Sequence, residues 1–221
     1  MFNAQEYIAE LTQKLKKIYG MRLRYVGLQG SYLRGEANEN SDIDIMTVID
    51  DLSMEDMDAY RKAIESLGGY DKSCGFICGT DEMKSWNPLE ICHLLHTTKD
   101  YFGELARLVP EYTRDDVRSF VKLSLGNLYH EICHRYIHAP KEKSVSDLPY
   151  AYKAVFFILQ NLHYLRSGTF LNNKNELLDA LGGKDRQVLQ AAMELGRGDS
   201  FDFAEVFEML FLWCQETMAG V

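Results

Sequence analysis

The sequence predicts an α+β protein: an N-terminal α/β domain on a small mixed sheet, then a C-terminal helical bundle. Three observations carry this. Up to about residue 100, short β-like runs alternate with helical ones. Beyond that point the apolar period is helical throughout. The chain has 221 residues, 46% of them apolar, which suits one large domain or two small ones. The change of period puts the boundary between residues 100 and 112, ahead of Thr113, and we divide the chain into residues 1–105 and 106–221.

Taken in order, "MFNAQEYIAEL" carries two glutamates, which suits an amphipathic helix and not a signal peptide. "RLRYVGLQ", "DIDIMTVI", "CGFICG" and "LEICHLLHT" read as strands. Between the second and third, "SMEDMDAYRKAIESLGG" begins with Ser and an early Glu and ends in Gly-Gly, the start and stop signals of a helix. In the second half, "TRDDVRSFVKLSLGNLYHEICHRYIHA" is a long helix ended by Pro140, and "SDLPYAYKAVFFILQNLHYLRSG" a second, closed by Gly168. "NKNELLDALGG", "KDRQVLQAAMELGRG" and "FDFAEVFEMLFLWCQETMAG" supply three more, each closed by glycine. There is no internal repeat.

A net charge of −9 and a pI near 5.2 argue against a nucleic-acid partner and suit a cationic one, although an acidic surface also simply keeps a protein soluble. The longest strictly apolar run, "AVFFIL" at 154–159, is too short to cross a bilayer. Cys74, Cys78, Cys92, Cys133 and Cys214 form an odd set within apolar segments and read as reduced, buried thiols of a cytoplasmic protein. Cys74 and Cys78 lack a second pair at zinc-ribbon spacing.

The chemistry concentrates in "GLQGSYLRGEANENSDIDIMTVID", residues 27–50. Residues i and i+2 of a strand share a face, so Asp42 and Asp44 project together while Ile43 and Ile45 point into the core. Two carboxylates on one face repel unless a cation neutralises them, and hard oxygen ligands suit Mg²⁺. Upstream, Gly30 permits a tight turn and Ser31 opens a short helix whose free N–H groups face an anion. Asp-x-Asp and Gly-Ser are each commonplace in solvated turns. Strand, Gly-Ser, polar loop and Asp-Ile-Asp in succession are more specific.

This stretch resembles the signature of the nucleotidyltransferase superfamily related to DNA polymerase β, in particular the antibiotic nucleotidyltransferases. The Gly30-Ser31 pair and the Ser41-Asp42-Ile43-Asp44 run match the pattern. The resemblance implies a third carboxylate on a later strand, for which "LEICHLL" offers Glu90, as metal ligand or general base. It also implies a triphosphate-contacting lysine after a Ser/Thr-Gly turn, which points to Lys174 in "YLRSGTFLNNKNELLDAL", with Lys153 a weaker competitor. Gln160 and Asn161 stand where some relatives carry an ATP-binding arginine.

The implied reaction is a two-metal transfer of a nucleoside monophosphate, AMP from ATP or another nucleotide, to a hydroxyl of a small acceptor, with pyrophosphate leaving. Two Mg²⁺ ions on Asp42, Asp44 and Glu90, with Gly30, Ser31, Ser41 and Lys174 on the nucleotide, complete the expected site. The leading acceptor is an aminoglycoside-like, cationic hydroxyl compound, with a protein or tRNA as the alternatives, and a homodimer is compatible with the sequence.

Two other readings compete. "HEICH" at 130–134 fits the H-E-x-x-H zinc-peptidase pattern, with His130 and His134 on one helix face, Glu131 as base and His138 a turn further on. The extended three-histidine form fails, because Ile137 and Pro140 hold its Gly and His positions. The third reading is a catalytically inactive, antitoxin-like nucleotide-binding module, which three retained carboxylates would argue against.

Overall fold

The computed structural model describes residues 3–221. They fall into two units that meet between Tyr112 and Thr113.

The first unit is built on four strands. Helix α1 (Ala4–Tyr19) starts where the Asn3 side chain accepts from the Glu6 N–H. It buries Tyr7, Ile8, Leu11, Leu15 and Tyr19 along one stripe. Strand β1 (Leu23–Leu28) leads into the five-residue helix α2 (Gly30–Arg34), and β2 (Ile43–Ile49) follows the polar loop. Helix α3 (Met54–Glu65) opens with a capping box between Ser53 and Asp56. Then come β3 (Ser73–Gly79), α4 (Thr80–Lys84), α5 (Pro88–His96) and β4 (Lys99–Phe102).

The sheet order is β3-β2-β1-β4, with β1 antiparallel to β2 and β4, and β2 parallel to β3. The sheet is therefore mixed, and it is covered on both faces. Ile43, Ile45 and Ile49 of β2 pack with Leu23, Val26 and Leu28 in the cluster that contains the α1 stripe. Met46 and Val48 turn the other way and pack with Tyr25, Cys78, Met83, Leu105 and Leu108, joined by Leu94 and Leu95 of α5. Burial on both sides is why β2 is apolar almost throughout.

Two expectations fail here. "LEICHLLHT" is not a strand but helix α5: Asn87 caps it by accepting from the Leu89 N–H, and Pro88 holds a first-turn position. Ile91 and Cys92 are fully buried and Leu94 and Leu95 pack on the sheet, a helical spacing that also passes for a short strand. The fourth strand is instead "KDYF", whose Lys99 and Asp100 are exposed, so no apolar alternation marks it. Cys74 departs from the expectation of buried thiols. It is exposed and Cys133 half-buried, whereas Cys78, Cys92 and Cys214 are buried.

The second unit is helical: α6 (Arg114–His138), α7 (Lys141–Ser167), α8 (Lys174–Ala180), α9 (Gly183–Arg197) and α10 (Phe203–Gly220). Thr113 and Asp116 form the capping box of α6. Helix α7 begins at Lys141, ahead of the expected Ser146, and carries Pro149 inside it. Arg135 of α6 pairs with Asp147 of α7 and ties this first stretch down. Val117, Val121, Leu125, Leu128 and Ile132 recur every three or four residues and form the buried stripe of α6. Trp213 of α10 is almost wholly buried, and its indole N–H donates to Asp185 Oδ1 at 2.7 Å. Trp213→Ala is expected to cost about 3–5 kcal/mol, read by chemical denaturation. No described helix is long and apolar enough to cross a membrane.

Candidate active site

Strand β2 positions the aspartates. Asp42 lies exposed just before it and Asp44 half-buried within it, on the face shared with Met46 and Val48. The flanking Ile43 and Ile45 are buried on the opposite face, which anchors this register. The β1–β2 pairing continues one residue beyond β1, where the Gln29 N–H donates to the Asp44 carbonyl at 2.8 Å. This brings Gly30 against the Asp44 carboxylate. Gly30 has φ +70°, and a Cβ there would lie 1.8 Å from Asp44 Oδ2. The glycine is needed twice, for its backbone angle and for the space that Asp44 occupies.

The polar loop holds itself. Ser41 donates its N–H to the Asn38 carbonyl at 3.1 Å, and its Oγ accepts from the Asn38 N–H at 2.9 Å. Ser41 thus fixes the turn that delivers Asp42. In α2, Ser31 is half-buried in the first turn and its carbonyl accepts from the Glu36 N–H at 2.9 Å. Arg34 pairs with Glu36 at 2.9 Å, and both side chains are mostly buried.

Burial raises the Asp44 carboxyl above its ordinary value and the Asp42 charge pushes the same way, while the Cys74 thiol and Arg34 pull it back. The charge on Asp44 is therefore disfavoured where it stands. Mg²⁺ suits such a pair, since it is commonly held by one or two carboxylates together with substrate phosphates and water.

The third carboxylate is missing from this group. Parallel pairing sets Cys74 of β3 beside Asp44. Glu90 sits exposed on α5, accepting from the Trp86 indole at 2.6 Å. Among the described residues, no three His, Cys, Asp or Glu side chains are arranged to hold a metal ion. Glu90→Gln is expected to leave transfer within about twofold of wild type, because it touches none of these groups. The strand assignment misled here. Cys74 and Arg34 carry no signal beyond standing beside and within the quoted motifs.

In the second unit, Lys174 opens α8 with its Nζ 5.5 Å from the Phe156 ring centre. Lys153 lies 4.8 Å from the Tyr150 ring. Gln160 and Asn161 are wholly buried in α7, where their amide groups donate to the Leu171 and Phe157 carbonyls. His130, His134 and His138 form an exposed ladder on α6, with adjacent ring centres 5.9 and 4.9 Å apart. Glu131, the base a peptidase would need, is paired with Arg135 at 3.0 Å. Purified protein is expected to contain no stoichiometric zinc by elemental analysis, and one tightly bound zinc per chain would contradict that.

Residues 8–73 match the family model described as the nucleotidyltransferase domain. A provisionally named protein adenylyltransferase of Methanocaldococcus jannaschii is 40% identical over 62 residues, which cover 27% of this chain and 62% of that one. The matched segment thus spans less than two thirds of that curated relative. Among solved structures, a spectinomycin adenyltransferase of Enterococcus faecialis, determined with ATP and spectinomycin, aligns with a TM-score of 0.61. The alignment covers 98% of this chain and 100% of the other at 15% identity, so what it shows is a shared fold.

Proposed function

We propose, for a chain whose residues 8–73 match the nucleotidyltransferase domain model, a Mg²⁺-dependent transfer of AMP from ATP to a hydroxyl of a small acceptor. One observation carries the reading. The Asp44 carboxylate stands against Gly30, and its charge is disfavoured first by burial and then by Asp42.

Asp42 and Asp44 would hold the cation, which would supply positive charge to neutralise the phosphates and ease deprotonation of the acceptor hydroxyl. Ser31, in the first turn of α2, would hydrogen-bond the phosphates. The acceptor oxygen attacks the α-phosphorus in line, the bridging bond to the β-phosphate breaks, and its electron pair leaves on pyrophosphate.

The net charge of −9 favours a cationic acceptor such as an aminoglycoside or aminocyclitol. The test is pyrophosphate release with Mg²⁺ over a panel of nucleotides and acceptors: spectinomycin, streptomycin and a protein rich in exposed hydroxyls. Release with ATP and a small cationic acceptor is the expected result. Release with the protein alone would move the acceptor class, and none with any member would refute the transferase reading.

A further inference from the structure

The aromatic residues of the second unit do not all go into its core. Phe203, Phe207 and Phe211 recur every four residues along α10 and so share a face. Their rings stay half-buried and pack against α6. Tyr136 lies 4.5 Å from Phe207 with 28° between the planes, and Phe207 lies 6.2 Å from Phe211 at 15°. Tyr129 continues the row at 5.5 Å from Phe211. Tyr136 itself keeps 58% of its surface exposed. Tyr136 and the three phenylalanines wall a cavity of about 640 Å³ between the end of α6, the start of α7 and α10, a size typical of small-molecule sites. Ser144, buried at its edge, donates its hydroxyl to the Arg135 carbonyl at 3.0 Å and fixes the α6–α7 junction.

Among the described residues, two charged side chains line the cavity, Lys141 from the first turn of α7 and Glu208 from α10. Neither takes part in an ion pair with another described residue, whereas Arg135 is held by both Glu131 and Asp147. A ligand with only a positive charge would meet Lys141, and one with only a negative charge would meet Glu208. A ring that carries both charges matches the whole lining. We propose that this cavity binds an aromatic α-amino acid as its zwitterion. The ring joins the stack of Tyr136 and the phenylalanines. The α-carboxylate pairs with Lys141 and the α-ammonium with Glu208, since both α-groups are charged at pH 7. The site lies within the second unit and uses none of the residues assigned to nucleotidyl transfer, so it stands apart from that reading.

The test is calorimetric titration of the full chain with L-phenylalanine and its truncated forms. Phenethylamine lacks the carboxylate, phenylpropionate lacks the ammonium, and L-alanine lacks the ring. L-Phenylalanine should bind saturably, and each of the others at least about tenfold more weakly. Lys141→Met should weaken L-phenylalanine about tenfold and leave phenethylamine unchanged. Glu208→Gln should weaken L-phenylalanine by a similar factor and leave phenylpropionate unchanged. Both positions are exposed, so neither change should unfold the chain. Asp44→Asn should bind L-phenylalanine as wild type does, which keeps this result separate from the fate of the transferase reading. No saturable binding of L-phenylalanine, or binding that both charge variants leave intact, would overturn the inference. So would phenethylamine or phenylpropionate binding as tightly as L-phenylalanine. A dimer seen by sedimentation and lost in Tyr136→Ala would put a second copy of the chain on this face, and that too would overturn it.

Discussion

Asp44→Asn is expected to abolish nucleotidyl transfer while raising the thermal midpoint of the ligand-free protein at neutral pH. The two effects have one cause. Asp44 is half-buried beside Asp42, and its folded-state pKa is raised, by burial first and then by the like charge. A carboxyl raised in this way favours folding while it is protonated, and the contribution is lost as pH rises through the folded pKa. At pH 7 the ionised group therefore weighs against the fold, and a neutral amide does not. Loss of a cation ligand should reduce transfer by more than about 100-fold, the upper range for losing an outer-shell partner alone. Asp42→Asn should lower transfer similarly and, by removing the like charge, bring the Asp44 pKa back down. Steady-state pyrophosphate release and thermal melts at pH 5 and pH 8 check both, and the stabilisation should be larger at pH 8. Near-wild-type transfer by either variant would remove the aspartates from the mechanism.

Gly30→Ala carries the second large effect. The left-handed backbone at φ +70° costs a side-chain-bearing residue about 1–2 kcal/mol. The new methyl would also stand where the Asp44 carboxylate now lies. Either Asp44 is displaced or the β1–α2 turn opens, and both spoil the pair. Transfer should fall below detection while circular dichroism stays close to wild type, since Gly30 lies outside the two hydrophobic clusters of the first unit. By contrast, Gly35, also at positive φ, has open space around it, so Gly35→Asn should keep most activity. Equal losses at both glycines would show that backbone strain, not the space for Asp44, is what matters.

The legible parts of the site share a physical property. Asp42 and Asp44 could be placed on one face because strand alternation is local, and Ile43 and Ile45 mark the buried side. The Gly-Ser turn could be placed because a left-handed backbone restricts residue type. The strand reading of the segment around Glu90 failed because its apolar spacing fits both periods, and the Asn87 cap with Pro88 decided for helix. Strand β4 failed because its two charged residues face solvent and its partner, β1, lies more than seventy residues upstream.

The sequence by itself determined the mixed α+β class, the helical second half, the Asp-Ile-Asp face and the glycine that lets it approach the turn. These rest on interactions within a few residues, where periodicity and backbone preference act. Only the tertiary structure decided what stands beside Asp44. Cys74 reaches it through parallel pairing, and α5 reaches the same face through Leu94, Leu95 and the Gln29–Thr98 hydrogen bond. Parallel register and helix-on-sheet packing join residues dozens apart, and no local pattern records which side chain such a crossing brings to a given carboxylate.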